Sequence, residues 1–402
     1  MSEKDAEAAL VAENVLAAED VLQKAEISEI EKDIELPLAE QAARILAAND
    51  RGSYTIPAEN LYPHQWLWDS CFIAIGLRHL DAKRAQTELR SLVRGQWSNG
   101  MLPNMVFSNA PEYRRDREFW RSRISPYSPD VVATSGITQP PMLAEAVWQV
   151  GQKLNLPERR SWFKEMLPHI EAYHQWLYTD RDPHDEGLVL LLHPWETGLD
   201  NTPPWTHDLQ EHAMPLWIRI VRWLHLDIVI GFFRRDRLYI PPSQRLSTLE
   251  TLSYFDAQRR LRRKAYDTMR ILDHGLFSIE DLGYNSMFIR ANARLRDIAK
   301  TLQHELPAEL LGRMQKTEAA LDHLYDPYHK DYWSRDFITH RLLKQPSIAS
   351  LLVLYSGAVS KERAALLVRK LENEHVFGAT FPVPSVPLDS PDFNPDCYWQ
   401  GP

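Results

Sequence analysis

The stretch His193-Pro-Trp-Glu-Thr-Gly-Leu-Asp200-Asn-Thr-Pro-Pro-Trp205 lies near the middle of the chain and places two carboxylates among tryptophans and prolines. Its prolines exclude a regular helix, because each fixes φ and lacks a backbone N–H. We therefore predict a loop, and loops held on a rigid scaffold often carry catalytic groups. A carboxylate between indole rings has a partly apolar environment, which raises its pKa and suits it to proton donation near neutral pH. The alternative for this loop is that its indoles only fill the core.

On both sides of this loop, apolar residues recur at helical spacing from Leu38 to about residue 373, and no convincing period-2 strand is present. Long loops follow every second helix, a pattern expected of paired helices that close into a toroid around a central cavity. A plain bundle or solenoid would not need so many long, tryptophan-rich connections. The apolar run 214–233 is interrupted by charged residues, so we predict a buried helix there and no membrane span.

The 402 residues carry a formal net charge of −9, which gives a nucleic-acid partner no electrostatic support. Most of that charge lies in residues 1–35, with eleven Asp or Glu against three Lys. We predict that this segment is an acidic helical or disordered arm, and that residues 36–402 form the helical domain. The two cysteines and the acidic N-terminus without an apolar segment favour a reduced, cytoplasmic setting.

Four predicted loops combine aromatic residues with carboxylate or amide groups. They are Tyr62-Pro-His-Gln-Trp-Leu-Trp-Asp69, residues 97–104, the central loop, and Tyr398-Trp-Gln-Gly-Pro402. A sugar ring needs this mixture, since its apolar faces stack on aromatic rings and its hydroxyls need donors and acceptors. The histidines lack the spacing of metal ligands, and no Gly-x-Ser-x-Gly elbow or glycine-rich phosphate loop occurs. We therefore predict a small glycoside as the ligand, with no metal and no cofactor.

Together with Thr138-Gln-Pro-Pro and Asp281-Leu-Gly-Tyr-Asn285, these motifs resemble the signatures of glycoside hydrolase family 63. Within it, the sequence looks most like the bacterial glucosylglycerate and mannosylglycerate hydrolases, from about residue 38 to the last residue. The resemblance implies an all-α fold, the (α/α)6 barrel, and inverting hydrolysis of an α-glycosidic bond. It also implies that Asp200 is the general acid.

The same resemblance implies a set of sugar-binding residues. Those of the first motif grip the sugar in the cleaved subsite, and Gln139 and the Tyr-Trp pair of the last motif complete it. In the glycerate-specific members an arginine of a basic loop, here Phe233-Arg-Arg-Asp-Arg237, holds the carboxylate, which would be Arg234 or Arg235 in this sequence. The predicted substrate-binding residues are Tyr62, Trp66, Trp68, Asp69, Gln139, Trp195, Glu196, Asn201, Arg234, Tyr398 and Trp399.

Two carboxylates have a second interpretation. Glu196 is too close to Asp200 in sequence to act on the opposite face of the sugar, so it is expected to hold the loop or to bind a hydroxyl. Asp69 is also expected to cap the helix that follows it. The sequence departs from the family motif with Thr202 for the usual serine and Thr206 for a common aspartate.

The family motif normally continues beyond the point where this sequence stops, at Pro402. We therefore expect the chain to lack the last helices of the barrel and the glutamate that acts as general base. The favoured hypothesis is an inverting α-glycosidase for a small α-glucoside or α-mannoside, such as glucosylglycerate or mannosylglycerate. The alternatives are a non-catalytic sugar-binding protein on the same barrel, or another glycosidase, trehalase-like or an α-glucosidase. The oligomeric state stays open.

Overall fold

The computed structural model describes residues 37–59, 61–202, 215–232, 234–273 and 277–401. The acidic arm and the end of the central loop, with Trp205 and Thr206, lie outside these residues. The chain divides into two compact units, Met1–Asp50 and Arg51–Pro402. The described part of the first unit contains helix α1 (Leu38–Ala48), none of whose residues is buried.

The second unit is built mainly from helices, and thirteen α-helices occur among its described residues. In chain order they are α2 (Leu67–Leu77), α3 (Ala82–Val93), α4 (Arg114–Trp120), α5 (Leu143–Gly151), α6 (Leu156–Asp180), α7 (Leu216–Trp223), α8 (Leu226–Phe232), α9 (Thr248–Arg263), α10 (Thr268–Leu272), α11 (Leu282–Leu302), α12 (Ala308–Ala320), α13 (Ala349–Ser356) and α14 (Lys361–Glu372). None of the described helices combines the length and the apolar character needed to cross a bilayer.

Four helical hairpins form the frame of this unit. The first helices of the hairpins, α2, α5, α11 and α13, pack against one another in that order, and α3, α6, α12 and α14 each pack against their own first helix. Side chains of α11, α13 and α14 share one apolar cluster that includes Ile289, Val353 and Leu367. This alternation of inner and outer helices is that of an (α/α)6 barrel, and it confirms the predicted all-α class.

The helix boundaries follow from local chemistry. The Asp81 side chain accepts backbone hydrogen bonds at the start of α3, and Ser247 and Glu250 form a capping box at the start of α9. The sequence predicts one helix to about residue 274, but α9 ends at Arg263, because Ala265 and Tyr266 adopt positive φ.

The connections contain strands of only two or three residues, too short to give a period-2 pattern. They are β1 (Gln65–Trp66), β2 (Met105–Val106), β3 (Ile279–Glu280), β4 (Tyr325–Asp326), β5 (Asp331–Tyr332), β6 (Ser334–Asp336) and β7 (Leu342–Leu343). Every pairing is antiparallel: β1 with β2, β4 with β5, and β6 with both β3 and β7. The β1–β2 pair sets Gln65 opposite Val106 and so joins the first aromatic motif to the loop after α3.

The prediction of a buried helix over 214–233 is wrong in two respects. The described part is divided into α7 and α8, and His225 between them has a φ of 54°. Most of its large apolar side chains are also exposed, and Trp223 is 78% accessible. The segment is fixed at one side by Ile218, which is fully buried, and by a hydrogen bond from Trp217 Nε1 to Asp256 Oδ1 of 3.0 Å.

Candidate active site

The central loop bends sharply just before Asp200. A short 3-10 turn, Pro194–Glu196, is followed by Gly198, which has a φ of +76°. A Cβ atom at Gly198 would lie 2.7 Å from the Trp68 ring, so this position requires glycine for its backbone angle and for its space. The Thr202 hydroxyl donates to the Leu199 carbonyl at 2.8 Å. The bend therefore brings Asp200 beside the first aromatic motif.

Glu196 fixes this loop through hydrogen bonds. Its carboxylate is fully buried and accepts two hydrogen bonds from Arg181, at 2.7 and 2.9 Å. It also accepts from the backbone N–H groups of Leu192 at 2.7 Å and Thr138 at 3.2 Å. Because both oxygens are engaged by the protein, the geometry favours the loop-holding role over the binding of a sugar hydroxyl. No motif in the sequence marked Arg181 as the partner of Glu196.

Asp200 has the electrostatic character of a proton donor. Burial, together with the nearby negative charge of Asp69, raises the pKa of Asp200 to about 7, although the Arg245 guanidinium opposes this shift. The backbone of Asp200 is fixed by Tyr254, whose hydroxyl donates to the Asp200 carbonyl at 2.6 Å. A carboxyl group with this pKa is protonated in a large fraction of molecules at neutral pH and can therefore act as a general acid.

Asp69 is a second carboxylate in the same environment. Burial raises the pKa of Asp69 to about 6, and a backbone contact and a hydrogen bond with the Trp68 side chain reduce the effect. The predicted capping role is wrong, because the residue preceding α2 is Trp66 and Asp69 lies within the first turn of the helix. There its charge is favoured by the helix dipole, which requires no side-chain cap.

Aromatic rings from the first and last motifs form one wall of the site. Trp68 lies 6.3 Å from Trp399, measured between ring centroids, and Tyr62 meets Trp66 edge-on at 5.5 Å. Tyr398 lies beside Trp399 at 5.3 Å. The structure thus brings together residues predicted from motifs more than 300 positions apart, and it gives a sugar the flat apolar faces that it needs.

Three of the predicted binding residues carry buried polar atoms with no hydrogen-bond partner in the part of the chain that the structure describes. They are Nε1 of Trp66, Oε1 of Gln139 and Nε1 of Trp399. Buried polar atoms are normally paired, so each of these three atoms has a hydrogen bond left to offer a polar ligand. Two donors and one acceptor suit the hydroxyls of a sugar.

The last motif is joined to the central loop by side-chain amides that donate to backbone carbonyls. Asn201 Nδ2 donates to the Tyr398 carbonyl at 3.2 Å, and Gln400 Nε2 donates to the Asn201 carbonyl at 3.3 Å. The Tyr398 N–H donates to the Gln244 carbonyl at 3.2 Å. Asn201, predicted as a substrate contact, therefore also positions the Tyr-Trp pair against Asp200.

The segment that follows the basic loop contributes a cation that sequence reasoning missed. Arg245 Nη1 donates to the Tyr62 hydroxyl at 2.9 Å, and its guanidinium lies 4.6 Å from the centroid of the Tyr398 ring. The predicted Arg234 is instead held by both oxygens of Asp236 and by the Leu246 carbonyl. No local signal marks Arg245, because its partner Tyr62 is 183 residues away in the sequence.

Trp195 lies among aromatic side chains of the core. Its ring packs against Trp120 and Tyr254, with both centroids 6.1 Å away, and against Phe255 at 5.9 Å. These contacts favour a packing role for Trp195, and its predicted contact with substrate stays a prediction. Within the described ranges, no group of three or more His, Cys, Asp or Glu is arranged to hold a metal ion.

Comparisons with known proteins agree with this geometry. The sequence profile of the mannosylglycerate hydrolase MGH1-like glycoside hydrolase domain matches residues 62–402. The mannosylglycerate hydrolase of Thermus thermophilus is 35% identical over 369 residues, which cover 90% of this chain and 84% of the relative. The glucosylglycerate hydrolase of Mycolicibacterium hassiacum is 30% identical over 384 residues, covering 91% and 82%.

The solved structures give the same result for the fold. A family 63 mannosylglycerate hydrolase from Thermus thermophilus, in complex with Tris and D-glycerate, matches with a TM-score of 0.79 and 34% identity. The match covers 91% of this chain and 84% of that structure. These findings confirm the resemblance inferred from the sequence motifs.

Proposed function

The chain belongs to the mannosylglycerate hydrolase MGH1-like glycoside hydrolase family, and from this premise we propose that it hydrolyses the α-glycosidic bond between mannose or glucose and glycerate. The observation that carries the proposal is Asp200, a carboxyl group with a pKa of about 7 beside an aromatic wall. That environment is the one that general acids of glycosidases require. Relatives named for either sugar resemble this chain, so both glycosides are candidate substrates.

In the proposed reaction, protonated Asp200 donates its proton to the glycosidic oxygen as the bond to the anomeric carbon breaks. Inversion also requires a second carboxylate that activates water on the opposite face, roughly 6.5–9.5 Å from the acid. Glu196 is unsuited to that task, because Arg181 and two backbone N–H groups occupy its oxygens. Our expectation that the base is a glutamate beyond Pro402 rests on the resemblance alone and stays a prediction.

We propose that the sugar stacks against the wall formed by Trp68 and Trp399, with its hydroxyls on the unpaired atoms of Trp66 and Gln139. The glycerate carboxylate needs a cation, and two arginines near the site are candidates. Arg245 lies at the site itself, whereas the carboxylate-binding side of Arg234 is occupied by Asp236. This geometry supports Arg245 as the residue that binds the glycerate carboxylate. Arg234 could bind it only after giving up its ion pair with Asp236.

The test is release of D-glycerate and free sugar from mannosylglycerate and glucosylglycerate, followed by NMR of the anomeric proton. Inverting hydrolysis of an α-glycoside yields the β-anomer first. Asp200→Asn should abolish turnover and leave binding of the glycoside in calorimetry largely intact. Asp185→Asn is the matched control, because Asp185 is exposed and pairs with Lys316 far along the chain.

Each result decides between the hypotheses. Unchanged turnover in Asp200→Asn would remove Asp200 from the role of general acid. Binding of either glycoside without turnover by the unmodified chain would favour the sugar-binding alternative. Turnover of trehalose or a glucan end in place of both glycerate conjugates would favour another glycosidase.

We also propose a cytoplasmic location for this chain. Its cysteines, Cys71 and Cys397, are both buried free thiols, and this supports a reducing compartment. Fractionation of the source cells would test this, and recovery outside the cytoplasm would contradict it.

A further inference from the structure

The backbone of Gln139 is held by a buried tyrosine. The two prolines that follow Gln139 have no backbone N–H, so neither of them can close a turn by a hydrogen bond to its carbonyl. The hydroxyl of Tyr173, on α6, supplies a donor to this carbonyl at 3.1 Å. Oε1 of Gln139 is buried and has no hydrogen-bond partner among the residues that the structure describes. The protein thus fixes the backbone of Gln139 and leaves its side-chain oxygen available to a ligand.

Three hydroxyl groups form a chain that ends on the Gln139 carbonyl. The Tyr173 oxygen lies 2.6 Å from Thr138 Oγ1 and 3.3 Å from the Tyr284 hydroxyl. Because a carbonyl only accepts, the Tyr173 hydroxyl donates to Gln139, and the other two hydroxyls donate to the Tyr173 oxygen. Burial raises the pKa of Tyr173, which keeps its proton in place. Each hydroxyl proton is therefore used, and Tyr173 is the member of the chain that reaches Gln139.

The same chain connects Gln139 to the loop that carries Asp200. The N–H of Thr138, the residue before Gln139, donates to Glu196 Oε1 at 3.2 Å. Glu196 in turn fixes the loop through the Leu192 N–H. Gln139 and the general acid are therefore held by one buried network.

The motif Asp281-Leu-Gly-Tyr-Asn285 supplies the far end of the chain. The Asp281 carboxylate accepts from the Tyr284 N–H at 2.7 Å, and Asn285 exchanges two hydrogen bonds with the Val189 backbone, at 2.8 and 3.0 Å. These contacts fix the start of α11 and with it the Tyr284 ring, which is fully buried. The motif thus has a structural consequence for the site: it sets the Tyr284 hydroxyl against Tyr173.

We propose that Tyr173 is a positioning residue for the sugar site, whose hydroxyl fixes the Gln139 backbone so that Oε1 accepts a hydrogen bond from a sugar hydroxyl. A residue before proline is confined to extended backbone angles, so the direction of its carbonyl also determines where its side chain starts. A misplaced acceptor would weaken ground-state and transition-state binding alike, which raises KM and leaves kcat nearly unchanged. This inference rests on the proposed function, in which Gln139 binds the sugar.

Tyr173→Phe, compared with Tyr178→Phe, tests the proposal. Both tyrosines are buried on α6, but they point about 140° apart around the helix, and the Tyr178 hydroxyl contacts Asn292 and Thr317 instead. We expect Tyr173→Phe to raise KM about 3- to 10-fold, the size of one hydrogen bond, and to change kcat by less than about 2-fold. Tyr178→Phe should lower the melting temperature similarly and leave KM unchanged. A KM that rises in both variants, or in neither, would overturn the proposal.

A double variant tests whether Tyr173 acts through Gln139. Gln139→Leu removes the acceptor itself, so adding Tyr173→Phe should lower kcat/KM no further, whereas independent effects would multiply. Multiplied effects would contradict the proposed route from the Tyr173 hydroxyl to the sugar.

A measurement without substrate separates this inference from the proposed function. In proton–nitrogen NMR spectra of the ligand-free chain, the side-chain amide signals of Gln139 are identified by their absence in Gln139→Leu. They should shift in Tyr173→Phe and stay in place in Tyr178→Phe. Signals that stay in place in Tyr173→Phe would overturn the positioning role even in an active hydrolase. Signals that shift in a chain that turns over neither glycoside would refute the proposed function and uphold the positioning of Gln139.

Discussion

Replacing Asp69 with asparagine should move the pH dependence of the reaction in a direction that the structure fixes. The pKa of Asp200 is raised from 3.8 to about 7, first by burial and second by the negative charge of Asp69. Burial has the larger share, the Asp69 charge adds to it, and the Arg245 charge opposes both. Asp69→Asn should therefore lower the pKa of Asp200 but leave it above its ordinary value, because the burial remains.

The direction of the shift in the pH dependence follows from the role of Asp200 as an acid. An acid is active when protonated, so kcat/KM should fall as the pH rises through the pKa of Asp200 in the free enzyme. Asp69→Asn should shift this alkaline limb to lower pH. Arg245→Met removes the opposing positive charge and should shift the limb to higher pH, by a smaller amount.

The assay is kcat/KM for the glycerate glycoside that is turned over, measured from about pH 5 to about pH 9. The position of the limb is the readout and its height is not, because Asp69 is also a predicted sugar contact whose loss would lower activity at every pH. A limb that stays in place in Asp69→Asn would refute the reasoning, and so would two variants that move it in the same direction.

Three further predictions concern the same loop. Asp200→Asn should raise the free energy of unfolding at pH 8 by up to about 4 kcal/mol, because a carboxyl whose folded pKa lies above its unfolded value loses stability as the pH rises between the two. In thermal melts this gain should fade towards pH 4. Gly198→Ala should lower stability by about 1–3 kcal/mol and reduce kcat, since it strains a positive φ and contacts Trp68; unchanged kcat would contradict the proposed tight approach. Glu196→Gln should cost about 3 kcal/mol in urea denaturation, because it leaves Arg181 buried without its counter-charge; a cost below about 1 kcal/mol would contradict the holding role.

Sequence reasoning was strongest where local pattern determines structure. Helical periodicity predicted the hairpins, and the density of prolines predicted the loop that carries Asp200. It was weaker where one residue changes the backbone, as at Ala265, whose positive φ lies inside a helix predicted to reach about residue 274. Periodicity also cannot distinguish an apolar helix face that is buried from one that is exposed, which is why it did not reveal the exposure of Trp223.

Within the site, the sequence predicted the residues that belong to motifs and missed those that lie between motifs. Asp200, Trp68 and Trp399 belong to recognisable motifs and meet in space as expected. Arg245 acts through contacts with tyrosines about 150 or more positions away, a relation that only the folded chain reveals. Hydrogen bonding likewise favours the loop-holding role for Glu196, whereas the sequence left its two roles open.

The contacts of Asn201 with Tyr398 and Gln400 join two points nearly 200 residues apart. Forming them closes half of the chain into one loop, whereas each helical hairpin closes over a few tens of residues. Because such long-range closure is slow compared with local helix formation, the acid and the Tyr-Trp pair should assemble late during refolding. Recovery of enzymatic activity should then lag behind recovery of the helical signal in circular dichroism. The return of activity would therefore measure how fast these two distant segments come into contact.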